Sequence, residues 1–272
     1  MYTLAGVEGE LQFYSAGADG MIVLWQAGKD DGLMVAKSDA PIYALYADEQ
    51  YLIAGSNKGV LTILLRNGHK LVKEVKLSAG AVFDIQKSDG DYLFACADGN
   101  MYVADGKFNI TRSLHISDKP LRKILIDEKQ LYIAGSDAVI RKLNHRFEVA
   151  AIFKDHHLSV FALEITNGQL LSAGRDAVIR VHNTSGLQHT VNAHWYPIND
   201  IKLNSSGKYF ASASLDKSIK IWDADNFALL KVIERPKMDA HQSSVNKILW
   251  IDRNRFISCS DDRTLKCFEI IE

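Results

Sequence analysis

Short runs of alternating apolar and polar residues fill almost the whole chain. Three such runs lie in succession at 197–203, 208–213 and 218–223, with turn residues between them. An alternation of period two that is bounded by Gly, Ser, Asn and Asp is typical of half-buried antiparallel strands. The 3.6-residue periodicity of an amphipathic helix is not found in the sequence. The pattern therefore predicts an all-β protein.

This three-strand unit recurs along the chain. A strand that ends in small residues comes before the polar corner at Asp216, and another strand follows it. Equivalent corners are expected at Asp19, Asn57, Asp98, Asp137, Asp176 and Asp262. Their spacing of roughly 40 residues indicates repeated sheets that bury one another, whereas a β-sandwich has no fixed period. Residues 1–272 are thus expected to form a single domain of seven units.

The unit that ends in Trp222-Asp223 resembles a WD repeat. It also carries His194 before its first strand, Ser212 in its second strand and Asp216 in its turn. The resemblance implies a seven-bladed β-propeller of four-stranded antiparallel blades. The blades are expected at 1–37, 41–76, 81–115, 120–154, 159–191, 197–233 and 244–272. In the family, the His, Ser, Asp and Trp of one unit form a hydrogen-bonded chain inside the blade.

The same polar residues imitate a catalytic set. A His, a Ser and an Asp resemble a Ser-His-Asp triad, but they recur in several units, which favours the structural role that the resemblance implies. The structural network then comprises His194, Ser212, Asp216, Trp222, His241, Ser258, Asp262, His156, Ser172 and Asp176. Units two to four depart from the pattern, with Ile53, Phe94 and Ile133 in place of the Ser. The histidines between 156 and 194 match no common zinc spacing, so no metal site is predicted.

Composition and charge exclude several classes of function. The net charge is -1, and the charged residues, 24% of the chain, mix both signs. No long-range attraction to nucleic acid or to a membrane is therefore expected. The three cysteines form no CxxC motif, which argues against a disulfide scaffold. The sequence shows no secretory leader and no apolar run of transmembrane length, so a soluble, cytoplasmic protein is expected.

Cofactor motifs are missing as well. The sequence contains no Walker-type or GxGxxG loop and no HExxH, and no cofactor is predicted. In the expected propeller, the innermost strands place Asp84, Lys123, Asp200 and Lys247 around the channel. Acids and bases interleaved in this way predict a self-pairing channel wall, since a catalytic cup needs convergent groups. A non-catalytic protein is expected; an enzyme with a site at the channel mouth and a purely structural assembly domain remain as alternatives.

A WD repeat domain usually offers a rigid disc on which another protein or a peptide docks, and the resemblance implies this function here. The top face is the expected docking face, with three exposed positions in each blade. The residues predicted to bind the partner are Tyr2, Tyr43, Phe83, Arg122, Phe161, Arg175, Trp195, Asn199, Leu215 and Asn246. Large apolar side chains at exposed positions are typical of an interaction site. Tyr2, Tyr43 and Phe83 belong to successive blades and should form one patch.

The ends of the chain bear on how the ring closes. Most WD repeat propellers complete one blade with strands from both chain ends. Here Met1 aligns with the start of blade one's innermost strand, and Glu272 directly follows blade seven's third strand. A three-stranded last blade is expected, whose open edge allows strand addition from another chain unless a longer natural N-terminus supplies the strand. Blade one is expected to pack on blade seven through Leu4, Leu24, Ile248 and Phe256.

Overall fold

Every regular element is a β-strand in the computed structural model, which describes residues 1–7, 9–128 and 130–271. These residues include no helix that is long and apolar enough to cross a membrane. Blade one consists of β1 (Thr3–Gly6), β2 (Gln12–Ala16), β3 (Met21–Gln26) and β4 (Leu33–Lys37). Blade two consists of β5 (Ile42–Ala47), β6 (Tyr51–Ser56), β7 (Val60–Leu65) and β8 (Leu71–Lys76). Blade three consists of β9 (Val82–Ser88), β10 (Asp91–Cys96), β11 (Asn100–Ala104) and β12 (Ile110–His115).

The remaining strands continue in the same order. Blade four consists of β13 (Leu121–Asp127), β14 (Gln130–Gly135), β15 (Ile140–Leu143) and β16 (Val149–Phe153). Blade five consists of β17 (Val160–Thr166), β18 (Gln169–Gly174), β19 (Val178–Asn183) and β20 (Gly186–Asn192). Blade six consists of β21 (Ile198–Leu203), β22 (Tyr209–Ser214), β23 (Ile219–Asp223) and β24 (Leu229–Ile233). Blade seven consists of β25 (Val245–Trp250), β26 (Arg255–Ser260) and β27 (Leu265–Glu269).

Each blade is a meander of antiparallel strands that pair in chain order. Six blades have four strands, and the last one has three. The first strands of successive blades pack against one another, and β1 also packs against β25, which closes the ring. The predicted fold, a seven-bladed propeller with a three-stranded last blade, is therefore confirmed.

The apolar core of the propeller lies between the blades. The described residues form seven clusters of buried side chains, and each cluster draws on two neighbouring blades. Between blades five and six, for example, Leu171 and Val181 belong to the same cluster as Ile201, Phe210 and Trp222. A single sheet has two apolar faces and cannot bury either of them alone. Radial stacking removes both faces from water.

The structure corrects the predicted alignment of blade two by one residue. The prediction placed the corner at Asn57 and the equivalent of the network Ser at Ile53. The residue with positive φ in this turn is Gly59, which takes the place of Lys217 in blade six. The corner is therefore Lys58. Gly59 is favoured there for two reasons. Its backbone adopts the left-handed conformation, and a Cβ at this position would lie 2.2 Å from a backbone carbonyl oxygen.

Strand pairing in blade two supports the same correction. Ser212 pairs with Ile201 of the innermost strand in blade six, and the corresponding pair in blade two is Ala54 with Leu45. The network Ser is thus replaced by a small apolar residue in blade two. An Asn beside a Lys is the more usual turn residue, which is why the sequence pattern favoured the wrong position.

The seam between blades seven and one is packed by a set of side chains that differs from the predicted one. Leu4 lies there as predicted, together with Phe13. Leu24 instead packs in the cluster between blades one and two. The predictions for Ile248 and Phe256 were also wrong, because both residues pack in the cluster between blades six and seven. Successive side chains of a strand point to opposite faces, so a change of one position moves a residue to the other interface.

Candidate partner-binding face

One end of the propeller, the top face, carries the turns between the second and third strands and the connections that enter each first strand. In blade six these segments are residues 215–218 and 193–197. The side chains at this end fall into three groups. They form a buried hydrogen-bonded network, a half-buried aromatic arc at the channel mouth and a cluster of exposed apolar side chains.

In blade six the four polar residues of the repeat form one hydrogen-bonded chain. His194 Nδ1 lies 2.8 Å from Asp216 Oδ2, and Nε2 of the same ring lies 2.7 Å from Ser212 Oγ. Trp222 Nε1 donates to Ser212 Oγ at 2.9 Å. The His194 side chain is fully buried. The chain therefore fastens the connection at the top of the blade to its second and third strands.

Other blades hold shorter forms of this network. In blades five and seven the same His–Asp and His–Ser contacts have distances of 2.8 to 3.1 Å. They join His156 to Asp176 and Ser172, and His241 to Asp262 and Ser258. In blade four Ser117 takes the His position and donates to Asp137 at 2.8 Å, and in blade one Trp25 donates to Ser15 at 2.8 Å. Ser172, Ser212 and Ser258 are fully buried, which fits a structural role and not that of a nucleophile.

Burial sets the protonation state of the network. Burial lowers the pKa of His194, although its hydrogen bond to Asp216 opposes the shift. Burial alone would raise the pKa of Asp216, but hydrogen bonds from His194 and Ser218 outweigh it and hold that pKa far below its usual range. A neutral imidazole that donates to a carboxylate is therefore the state at neutral pH.

The aromatic residues predicted at the rim form a continuous arc around the channel mouth. The rings of Tyr2 and Tyr43 lie 5.4 Å apart, and those of Tyr43 and Phe83 are stacked at 5.7 Å. Arg122 continues the arc, with its Cζ 4.0 Å from the centre of the Phe83 ring and 5.7 Å from that of Phe161. All five side chains are half-buried. The arc thus joins predicted residues of blades one to five into one surface.

A cluster of exposed apolar side chains lies at the top of blade six. Trp195 and Tyr196 belong to the connection into the blade, and Leu215 belongs to its turn. Their exposed fractions are 87%, 59% and 45%. Trp195 N donates to Asp216 Oδ2, and Leu215 N donates to the Pro197 carbonyl. Ser214 Oγ donates to the Tyr196 carbonyl. The backbone that carries the three side chains is therefore fastened to the top of the blade, and we call the three side chains the blade-six cluster.

Blade five extends this surface. Arg175 is exposed in the blade-five turn, and its backbone N–H donates to the carbonyl of Ser159, next to the exposed Leu158. Trp195 was the one residue of these two connections among the predicted residues, so the prediction missed Tyr196 and Leu158. The Trp-Tyr-Pro run at 195–197 was the available signal, since two aromatic residues next to a proline outside a strand cannot both reach the core.

The predicted Asn199 and Asn246 bond within the ring. Asn199 Nδ2 donates to the Val245 carbonyl at 2.8 Å. Asn246 Nδ2 donates to the Met1 carbonyl at 2.8 Å and to Asp261 Oδ1 at 2.7 Å. These bonds join blade six to blade seven and blade seven to blade one. The two amides therefore fasten the rim at the side where the arc is interrupted.

The channel wall pairs its own charges. Lys123 Nζ lies 2.9 Å from Asp84 Oδ2, and Lys247 Nζ lies 3.1 Å from Asp200 Oδ1. Each of these carboxylates also accepts a backbone N–H from the next blade. Within residues 1–7, 9–128 and 130–271, no group of three or more His, Cys, Asp or Glu residues is placed to hold a metal ion. The charges near the channel therefore serve to join neighbouring blades.

Comparisons with known proteins agree with this architecture. The family model "WD domain, G-beta repeat" matches residues 185–223 and 234–269, which are parts of blades five to seven. The COMPASS component SWD3 of Saccharomyces cerevisiae is 35% identical over 81 residues, which cover 29% of this chain and 24% of that protein. The WD repeat-containing protein 55 homolog of Dictyostelium discoideum is 25% identical over 202 residues, which cover 70% of this chain and 48% of that protein. This chain thus spans less than half the length of these curated relatives.

Solved structures extend the likeness of the fold to the whole chain. The WD40 β-propeller domain of Doa1 superposes with a TM-score of 0.85 at 19% identity, over 99% of this chain and 92% of that one. A chain of the mitotic checkpoint complex superposes with a TM-score of 0.88 at 15% identity, over 100% of this chain and 87% of that one. The chain therefore has the seven-bladed β-propeller fold, and its blades six and seven carry matches to the WD repeat family.

Proposed function

We propose that this protein is a non-catalytic scaffold that binds a protein or peptide partner on the top face of the propeller. WD repeat proteins are generally protein-interaction scaffolds, and one relative, SWD3, is a component of COMPASS. The observation that carries the proposal is the blade-six cluster, in which Trp195 is 87% exposed. A Trp so exposed on a rigid surface is typical of an interaction site, because Trp and Tyr contribute much of the binding energy at interfaces.

The aromatic arc supports the same face. Its members pack on one another and are half-buried, so part of each side chain stays exposed to a partner. A partner that contacts the blade-six cluster and the arc would cover a rigid apolar centre with a polar rim, which is the usual anatomy of an interface. The self-paired charges of the channel favour this function over catalysis at the channel mouth.

The test is a binding measurement with matched variants. A partner is first identified by affinity capture with the intact protein, and its Kd is then measured for Trp195→Ala and for Leu71→Ala. Leu71 is an exposed apolar residue of β8, away from the top face. Trp195→Ala should weaken binding by about 10- to 100-fold, the usual effect at an interface hot spot. Leu71→Ala should leave the Kd unchanged. Equal Kd values for Trp195→Ala and the wild type would refute the top-face site.

We further propose that β27 can accept a strand from another polypeptide. It pairs only with β26 among the described strands, so one of its edges is open. A groove of about 400 Å³ beside this edge is lined by Ile233, Met238, Phe268 and Ile270, among others. Exposed strand edges next to apolar grooves are the usual receptors for β-strand addition.

The other six blades indicate what this strand must carry. In each of them, the second residue of the third strand or its equivalent pairs with an apolar residue of the fourth strand. The fourth-strand residues at that position are Ala36, Val75, Leu114, Phe153, Val191 and Ile233. In blade seven the corresponding third-strand residue is Leu265, which pairs with Cys259 on its inner side. An added strand should therefore place an apolar side chain opposite Leu265.

A reducing compartment, such as the cytoplasm, is the proposed location. All three cysteines are free, and two of them, Cys96 and Cys259, are buried. Burial raises the pKa of each of these two thiols to about 12. Free cysteines without a disulfide are usual in reducing compartments.

A further inference from the structure

Arg122 is held in an unusual setting within the aromatic arc. Its guanidinium lies between the rings of Phe83 and Phe161, and its Nε donates to Ser136 Oγ at 2.9 Å. A guanidinium stacked on a ring keeps its remaining N–H groups in its own plane, where they can still donate to a ligand. Neither Nη donates a hydrogen bond within the described residues. The side chain is thus held in place, while its two Nη groups have no hydrogen-bond partner among the described residues.

Every other half-buried or buried arginine among the described residues has a carboxylate partner. These ion pairs are Arg66–Glu10, Arg141–Asp137, Arg180–Asp176 and Arg255–Asp252. No ion pair joins Arg122 to any described carboxylate. Burial lowers the pKa of Arg122, and only the nearby Tyr43 opposes this shift. A cation that is partly removed from water without a counter-ion is stabilised when an anion binds to it.

The position of Arg122 makes it accessible to a docked partner. It lies in the arc between the aromatic residues of blades one to three and Phe161 of blade five. Arg175, the exposed cation of the neighbouring blade-five turn, lies on the same face. In the described structure Arg175 also forms no ion pair. The rim of blades four and five therefore combines two unpaired guanidinium groups with flanking aromatic rings.

We propose that Arg122 is the subsite for an acidic side chain, Asp or Glu, of the peptide segment that docks on the top face. The two free Nη groups fit a carboxylate in a bidentate arrangement, and the flanking rings exclude water from the pair. A carboxylate is favoured over a phosphate because only one of the two guanidinium groups is fixed, whereas a phosphate dianion is usually held by a cluster of Arg residues. The subsite rests on the top-face function proposed above and specifies the chemistry of its ligand.

The experiment is a selection from a displayed library of linear peptides. The wild-type protein, Arg122→Gln and Arg146→Gln are used in parallel, with Arg146 as an exposed control on the blade-four loop at the opposite end. Peptides whose binding is lost with Trp195→Ala are retained as top-face ligands. Selection on the wild type and on Arg146→Gln should enrich Asp or Glu at one position, and selection on Arg122→Gln should lose that preference.

Changes in the ligand also test the subsite on the wild-type protein itself. The best peptide is synthesised with its acidic residue, with the matching amide, and with phosphoserine. Replacing the acid by the amide should weaken binding to the wild type by about 10- to 100-fold, as expected for a charge-assisted bidentate pair. The same replacement should have little effect on binding to Arg122→Gln. The phosphoserine peptide should bind no more tightly than the acidic one.

The outcomes separate this inference from the proposed function. The carboxylate subsite would be overturned if the top-face peptides showed no preferred acidic residue. It would also be overturned if replacing the acid by the amide weakened binding to Arg122→Gln as much as to the wild type. Either result would leave the top-face function standing. A clear preference for phosphoserine would also overturn it in favour of a phosphopeptide site. If no peptide depends on Trp195, the top-face function fails, and the subsite fails with it.

Discussion

Asp216 should contribute more to stability than the equivalent turn residue of blade one, because of the groups that depend on it. It accepts hydrogen bonds from His194, from Trp195 N and from Ser218. Asp216→Ala should leave the buried His194 Nδ1 without its main acceptor and cost about 1–3 kcal/mol of unfolding free energy. Asp19 is the matched control, since it is exposed and its carboxylate accepts only the N–H of Met21 among the described groups.

Denaturant unfolding of the two variants tests this difference. Asp19→Ala should cost less than about 1 kcal/mol, because no buried group loses its partner. Equal losses for the two variants would mean that the network adds nothing to the local turn. Asp137 would be a less sharp control, because it pairs with Ser117 and with Arg141.

The repeat spacing shows which residues of the site could be predicted. His194, Ser212 and Asp216 lie at fixed distances along the chain from regular strands, so the spacing alone predicts that they meet. Arg141, the partner of Asp137, replaces part of the network in blade four. It lies four residues after the turn Asp, as Arg180 does in blade five, and the polar pattern used for the prediction did not include this position. The exposure of Tyr196 was also not predictable from the spacing, since it depends on the path of an irregular connection.

At the scale of the element, the open edge of β27 makes a prediction about hydrogen exchange. The strand β23 is paired on both sides, whereas β27 is paired only with β26. The amides of residues 265–269 that point away from β26 should therefore exchange faster than those of residues 219–223. Equal protection of the two strands in a monomer would contradict the open edge.

Addition of a strand should reverse this difference. The probe is the peptide of residues 71–78 of this chain, LVKEVKLS, which forms the fourth strand of blade two and carries Val75 at the critical position. It should slow the exchange of residues 265–269 and leave that of β23 unchanged. The same peptide with Asp in place of Val75 is the control, because a charge opposite Leu265 would be buried without a partner. Identical effects of the two peptides would refute the predicted register.

The strands themselves were the part of the fold most accessible from sequence. Alternation and turn residues predicted every blade, because each strand has one face toward each neighbouring blade and the pattern is regular. The one-residue error at Asn57 arose where two polar residues compete for a turn. The conformation of Gly59, which decides between them, cannot be seen in an apolar–polar pattern. The same limit explains why Leu24 was assigned to the wrong interface.

For the whole molecule, the seam between blades seven and one differs from the other six interfaces. Elsewhere the chain itself connects the fourth strand of one blade to the first strand of the next. At the seam the described contacts are noncovalent. They include the apolar cluster around Leu4 and Phe13, the bond from the Met1 ammonium group to the Ser260 carbonyl, and the bond from Asn246 to the Met1 carbonyl. Local opening should therefore begin here.

Two equivalent phenylalanines allow this to be tested. Phe13 pairs with Trp25 in blade one and is buried at the seam, and Phe210 pairs with Trp222 in blade six and is buried against blade five. Truncation to Ala removes a similar side chain in each case and should cost about 3–5 kcal/mol of packing.

With Phe13→Ala, faster hydrogen exchange should be concentrated in blades one and seven, because the seam can open without disturbing a chain connection. With Phe210→Ala, the connection from β20 to β21 holds the two blades together, so the loss should spread over the ring as a lower stability to global unfolding. Hydrogen exchange followed by mass spectrometry resolves the two patterns blade by blade. If Phe13→Ala raises exchange evenly around the ring, as expected for Phe210→Ala, the seam is no weaker than the connected interfaces.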